Sequence, residues 1–200
     1  SVLHQVDAGI DTGPIVKLHQ FYYPMACRVP RDYIEAYYQQ NRTLLKEFVA
    51  EVQEEKDFPL LPQAEYFSSY WPRLSAFHNG YIDWNWSLRH IEQFICAFDE
   101  PYLGESTFVG EQRVFLHDCL ADYNDGGFHP FQTGLIYRTT SDALYVAAGE
   151  GSLILRDVRD ESGQSVLGKM KVGDRFFTPT AYLEQAKMFR AIYTPEGLQH

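Results

Sequence analysis

The sequence predicts an α/β segment over residues 1–76, followed by a small β-barrel domain over residues 77–200 that ends in a helix. Three observations predict this. The first half holds two short apolar strand patterns around an acidic, glycine-bearing loop, then one long stretch of helical period. The second half holds five short strand patterns separated by turn residues, the mark of a small barrel. Between them, residues 57–80 are irregular, broken by Pro59, Pro62, Pro72 and Gly80.

Taken in order, residues 2–6 read as a strand and 15–23 as its partner, with Pro24 ending it. Residues 32–54 read as an amphipathic helix, because Ile34, Tyr37, Tyr38, Leu45, Phe48, Val49 and Val52 recur at helical spacing. The aromatic residues of the irregular stretch, Tyr66, Phe67, Tyr70 and Trp71, argue that it packs on a surface. Ser87 reads as a helix N-cap, followed by the stripe Leu88, Ile91, Phe94, Ile95 and Phe98, with Asp83 expected to pin this helix. Trp84, Trp86, Tyr102 and Phe108 are expected to cluster as the core of the junction between linker and barrel, and a stacking surface for a base or sugar is the competing reading. Strands are expected over 106–109, 112–121, 134–138, 143–147 and 152–158, and a final helix over 181–193.

The formal net charge of −10 opposes non-specific nucleic-acid binding, which depends on Lys and Arg neutralising phosphates. No apolar run approaches the ~18 residues of a membrane-spanning helix, and no secretory leader pattern opens the chain, so no membrane is expected as a partner. The three cysteines, Cys27, Cys96 and Cys119, form no C-x-x-C pair, and reduced thiols in a cytoplasmic protein are the default. Histidines 19, 78, 90, 117 and 129 stand far apart, with no metal-ligand spacing, and read as solvated or core-edge side chains; no metal is expected.

The stretch from His4 to Ile15 reads HQVDAGIDTGPI. Its glycines permit tight backbone turns and close approach of a ligand, and its acids could serve as proton acceptors. Taken alone, it equally describes a surface turn with two solvated carboxylates. The string resembles the signature loop of folate-dependent formyltransferases, the group that includes methionyl-tRNA formyltransferase and the amino-sugar N-formyltransferases. Residues 81–87, YIDWNWS, resemble the segment that opens the second half of these enzymes, and residues 97–104, AFDEPYLG, resemble their proline-tyrosine segment, with Leu103 in place of the usual proline. Past Thr107 the likeness fades to a general pattern of short strands.

The resemblance implies a fold and a chemistry. Residues 1–76 would be the end of a Rossmann-like formyltransferase domain with its linker, and residues 77–200 an OB-like barrel. The reaction would pass a formyl group from 10-formyltetrahydrofolate to a primary amine through a tetrahedral intermediate, which calls for an imidazole, an amide donor and a carboxylate. Of the family's Asn, His and Asp, only the Asp has a counterpart, Asp11. Asp7 would brace the loop, the backbone of Ala8, Gly9 and Ile10 would line the pterin pocket with it, and His4 would stand behind the site or simply pack in its strand. No N-x-H occurs in the chain, so the expectation is the C-terminal part of a longer enzyme, inactive on its own.

From residue 107 onward, nine Lys and Arg face twelve Asp and Glu. This acidity favours a nucleotide-linked amino sugar over tRNA as acceptor. Methionyl-tRNA is the alternative acceptor, and a homodimer is compatible with either. The reading of another class is a non-catalytic remnant or interaction module built on the barrel.

Overall fold

The computed structural model describes all residues except 10, 65, 67, 70, 73, 195, 196 and 200, and only the backbone of 193, 194 and 197–199. The chain divides into two units, Ser1–Trp71 and Pro72–His200.

In the first unit, β1 (Val2–His4) and β2 (Ile15–Leu18) pair antiparallel, with Val2 opposite Leu18 and His4 opposite Ile15. Both strands are shorter than the apolar pattern suggests. Beyond Leu18 one further rung joins His19 to Ser1 by reciprocal hydrogen bonds of 2.9 Å, and ring contacts then take over, Phe21 on Tyr23 and Tyr23 on Tyr33, each at 5.1 Å between centroids. Leu61 adds a third rung beside β2 through reciprocal hydrogen bonds with Ile15, at 2.8 and 2.9 Å.

Helix α1 (Pro30–Gln53) starts where the sequence supplies punctuation. Pro30 has no N–H to leave unsatisfied, and the Asp32 carboxylate accepts the N–H groups of Arg28 and Val29 at 2.8 and 3.1 Å. Lys17 on β2 reaches Glu51 of α1 at 2.7 Å, tying sheet to helix. Leu44, 1% exposed, is the one apolar residue of α1 that is buried.

In the second unit a short helix, α2 (Ala76–Asn79), leads to α3 (Leu88–Phe98). Ser87 caps α3 as expected, its Oγ accepting the His90 N–H at 3.3 Å. Asp83 acts elsewhere: it accepts both N–H groups of the Asn85 backbone and side chain, at 3.0 and 2.9 Å, and shapes the turn ahead of the cap. Leu88, Ile91 and Ile95 are fully buried along one stripe. Each such side chain contributes about 2 kcal/mol of transfer free energy.

Six strands form one antiparallel sheet in the order β5-β6-β7-β4-β3-β8, with β3 Glu105–Val109, β4 Gln112–Asp122, β5 Ile136–Thr139, β6 Leu144–Ala148, β7 Gly151–Arg159 and β8 Phe176–Phe177. Five of these match the expected strands to within two residues. The sheet curls until its edges meet. Ile136 N–H donates to Asp174 O at 2.8 Å, Phe176 N–H to Gly134 O at 2.8 Å and Gly173 N–H to Ile136 O at 2.9 Å. The interior is apolar, with Val114, Leu116, Leu144, Leu153, Leu155 and Phe176 packed beneath α3.

Sequence pattern misses β8, since two residues carry no alternation and their place is set by Phe108 and Val109 across the ladder. The last helix, α4 (Thr180–Met188), is shorter than expected. Phe189 leaves the helical path to stack on His78, rings 3.9 Å apart and nearly parallel, and Ile192–Thr194 (β9) then pairs with Gly197–Gln199 (β10).

Candidate functional site

The acidic loop hangs between β1 and β2, and its shape follows from a few contacts. Gln5 N–H donates to Pro14 O at 3.0 Å, closing the neck. A Cβ on Gly13 would lie 1.8 Å from Gln5 O, so only glycine fits there. Asp7 Oδ1 accepts the Thr12 hydroxyl at 2.6 Å and the Gly9 N–H at 3.0 Å. Those two bonds, the Thr12 hydroxyl foremost, hold the Asp7 carboxyl below the usual carboxylate range. Gln63 clamps the far side, its Nε2 donating to Asp11 O at 2.8 Å and Gly13 O at 2.7 Å.

Asp11 sits in the left-handed region, at φ 55°, a conformation that costs a non-glycine residue about 1 kcal/mol. The turn presents its carboxylate to solvent, with 84% of the side chain exposed, and brings Oδ1 to 3.4 Å from His4 Nε2. The other ring nitrogen of His4, Nδ1, lies 3.0 Å from Gln5 O. The loop thus brings together Asp7, Asp11 and His4, with Ala8 and Gly9 exposed beside them. Ile10 lies outside the described residues. The arrangement places an imidazole and a carboxylate side by side at a solvent-facing surface. Gln63 carried no signal in the sequence, since it lies 50 residues or more from the carbonyls it binds.

The second unit has polar groups that sequence reasoning also passed over. His117, expected to be solvated or at the core's edge, is 2% exposed. Its Nδ1 lies 2.8 Å from Asp99 Oδ1. Asp99 also accepts the N–H groups of Glu100 and Asp118, at 2.7 and 3.0 Å. Burial pushes the Asp99 carboxyl up, but the bonds from His117 and the two N–H groups outweigh it and leave the group below its ordinary value. Gly104, at φ 87°, makes room for this ring: a Cβ there would lie 2.5 Å from His117 Nε2.

Glu105 is fully buried and neither carboxylate oxygen has a hydrogen-bond partner. Burial pushes its pKa up to about 10, against the pull of Arg113. Arg113 holds its guanidinium 4.8 Å from the Phe77 ring, 4.6 Å from Tyr81 and 5.0 Å from Phe115. A cleft of about 510 Å³ opens beside it, walled by Tyr81, Phe108 and Tyr182 and rimmed by Glu111 and Glu161.

The expected aromatic cluster does not form as one group. Trp84 stacks on Phe176 at 5.7 Å and donates Nε1–H to Thr107 Oγ1 at 2.9 Å, Trp86 packs on Phe94, and Phe108 on Tyr182. Tyr102 is 48% exposed. The barrel's curvature, invisible to sequence spacing, sends these rings to different neighbours.

The curled sheet with α3 laid on it, entered through the 81–87 segment, is an architecture with a known family. Residues 77–170 match the family described as "Formyl transferase, C-terminal domain". Among individual proteins, the methionyl-tRNA formyltransferase of Dechloromonas aromatica is 26% identical over 182 residues, which is 88% of this chain and 55% of that protein. The methionyl-tRNA formyltransferase of Marinobacter nauticus is 35% identical over 91 residues, 46% of this chain and 28% of that one. The chain therefore spans about half the length, or less, of these curated relatives. Two solved structures share the fold. HypX from Aquifex aeolicus in complex with tetrahydrofolic acid has a TM-score of 0.53 at 15% identity, covering 100% of this chain and 33% of its own. An N-formyltransferase from Helicobacter canadensis in complex with folinic acid and dTDP-3-aminofucose has a TM-score of 0.52 at 18% identity, covering 78% and 54%.

Proposed function

We propose that these residues serve an enzyme that transfers a formyl group from 10-formyltetrahydrofolate to a primary amine. The observation that carries this reading is the loop in which Asp11 faces His4 at 3.4 Å, in the same chain as a formyl transferase C-terminal domain. Solved relatives hold tetrahydrofolic acid and folinic acid, which supports a folate donor. In this reading residues 1–76 are the end of a Rossmann-like catalytic domain, and residues 77–200 an OB-like barrel.

The acid that handles the proton is Asp11. As the amine attacks the formyl carbon, a C–N bond forms and the amine sheds a proton; the bond to folate N10 then breaks and N10 leaves carrying a proton in its place. Asp11 orients the base or relay water that carries this proton, and His4 supports it. Asp7, locked by Thr12 and Gly9, keeps the exposed backbone of Ala8 and Gly9, with Ile10, open to the edge of the pterin. The Asn and His that the resemblance calls for beside Asp11 have no counterpart in these 200 residues, which are therefore expected to be inactive alone.

The acceptor we favour is a nucleotide-linked amino sugar, a small anion that needs no broad basic surface. Its support is the acidic balance of the chain, −10 overall. The second reading, methionyl-tRNA, is favoured by the curated relatives, which carry that activity in their names. Titration calorimetry with a reduced folate tests the donor. Binding to the native protein, weakened about tenfold or more in Asp11→Asn, is the expected result, and no heat with either protein sinks the formyltransferase reading. Formylation of dTDP- or UDP-linked amino sugars, set against methionylated tRNA, then decides the acceptor.

A further inference from the structure

We propose that Cys96 and Cys119 form an oxidisable pair, which a hydroperoxide converts to a disulfide that pins α3 to β4. Far apart in sequence, the two sulfurs lie 4.0 Å from one another, one on the helix and one on the strand beneath it. A disulfide needs them at about 2.05 Å, a closure of the size that side-chain rotation provides. The frame around them is already knitted. Glu92, one helical turn before Cys96, accepts the Ala121 N–H at 3.1 Å through its carboxylate, and its carbonyl lies 3.8 Å from Cys119 Sγ. On the other side of the sulfur pair Asp99 accepts the Asp118 N–H at 3.0 Å, so helix and strand are held in register at both ends. Cys96 is partly exposed and Cys119 is 3% exposed, so an oxidant reaches Cys96 first and Cys119 resolves it.

The chemistry balances. The Cys96 thiolate attacks the terminal oxygen of the hydroperoxide. An S–O bond forms, the O–O bond breaks, and the departing oxygen leaves as alcohol or water with the thiol proton. Cys119 then attacks the sulfenic sulfur. The S–S bond forms, the S–O bond breaks, and the hydroxyl leaves as water with the Cys119 proton. Two thiols lose two electrons and the peroxide gains them. Cys96 stands in the last turn of α3, on the side of the sulfur pair that solvent reaches. The closed loop would enclose Asp99, Gly104 and His117, the buried polar centre of the domain.

The test treats the native full chain with hydrogen peroxide, alkylates under denaturing conditions and maps the peptides by mass spectrometry. The expected product is one linked pair, Cys96 with Cys119, while Cys27 in the first unit stays alkylated. The second unit's melting midpoint should rise by about 10 °C and fall back with dithiothreitol. Cys27→Ala keeps both signals and Cys96→Ala loses both. The proposal is overturned if Cys96 goes to sulfinic acid while Cys119 remains alkylatable, if the link appears only in urea, or if it forms without a change in melting.

Discussion

The two units solve the problem of holding a polar group in opposite ways. In the first, Leu44 is the only buried apolar side chain among the described residues, and Tyr38, Leu45, Val49 and Val52 of the same helix are each at least half exposed. The acidic loop is kept in shape by hydrogen bonds of its own neighbourhood, from Thr12, Gly9 and Gln63. In the second, a continuous apolar interior surrounds Asp99, His117 and Glu105. Shape that rests on local bonds can be lost a piece at a time, and shape that rests on a core is lost all at once. An exposed, locally braced loop also suits a group that meets ligand, whereas a buried pair serves the fold.

The contrast can be broken from the largest effect downward. Asp99→Ala leaves His117 buried without its anion and should cost about 3–5 kcal/mol in urea unfolding of the second unit. A loss under about 1 kcal/mol would mean that water reaches the ring. Glu105→Gln should act in the other direction. Its folded pKa, about 10, lies above the unfolded 4.5, so the unfolded state sheds the proton first and the carboxyl's contribution erodes as pH rises between those values. The substitution should therefore stabilise by about 3 kcal/mol near pH 7 and by nothing near pH 4. Equal gains at both pH values would refute a neutral buried carboxyl.

Gly13→Ala forces the neck of the loop apart and should cost about 2 kcal/mol locally. Hydrogen exchange of the Gln5 and Ile15 amides should quicken while the second unit's melting is unmoved, and a coupled drop in both would erase the distinction between the units. Asp7 offers a milder handle. Because its pKa is depressed, its support for the loop is present at neutral pH and falls away as pH drops through the acid range. NMR shifts of the Gly9 amide should follow that titration. The smallest effect is Lys17→Met, which removes a partly exposed ion pair to Glu51 and should change stability by under about 1 kcal/mol.

How far the sequence could be read follows the same divide. The α3 stripe was legible because its apolar residues face one core, so the helical period survives folding. Burial in the long strands does not alternate: residues 105–108 of β3, 114–117 of β4 and 151–155 of β7 are buried in succession, and Gly80 and Ile82 pair with the free edge of β3 at Ser106. Nothing in the string GESTF says that its glutamate lies inside. The Asp99–His117 and Cys96–Cys119 pairs join different elements across gaps of 18 and 23 residues, and only the laying of α3 on β4 makes them neighbours. The acidic loop was legible by resemblance. Physics alone leaves it an ordinary turn, to which the structure adds the Gln63 clamp and the left-handed Asp11, neither of which spacing could announce.

The seam that joins Gly134–Ile136 to Asp174–Phe176 carries one more consequence, for how the chain is made. The family match ends at residue 170, yet the strand that seals the sheet comes after it, at Phe176–Phe177. A polypeptide stopped at residue 170 would keep nearly every apolar side chain of the interior and still present two bare rows of amide groups, along β3 and β5. Such rows are templates for pairing with other chains. During synthesis the sheet stays in that sticky condition until its last two residues emerge, so their arrival both closes the seam against other chains and sets Phe176 into the core.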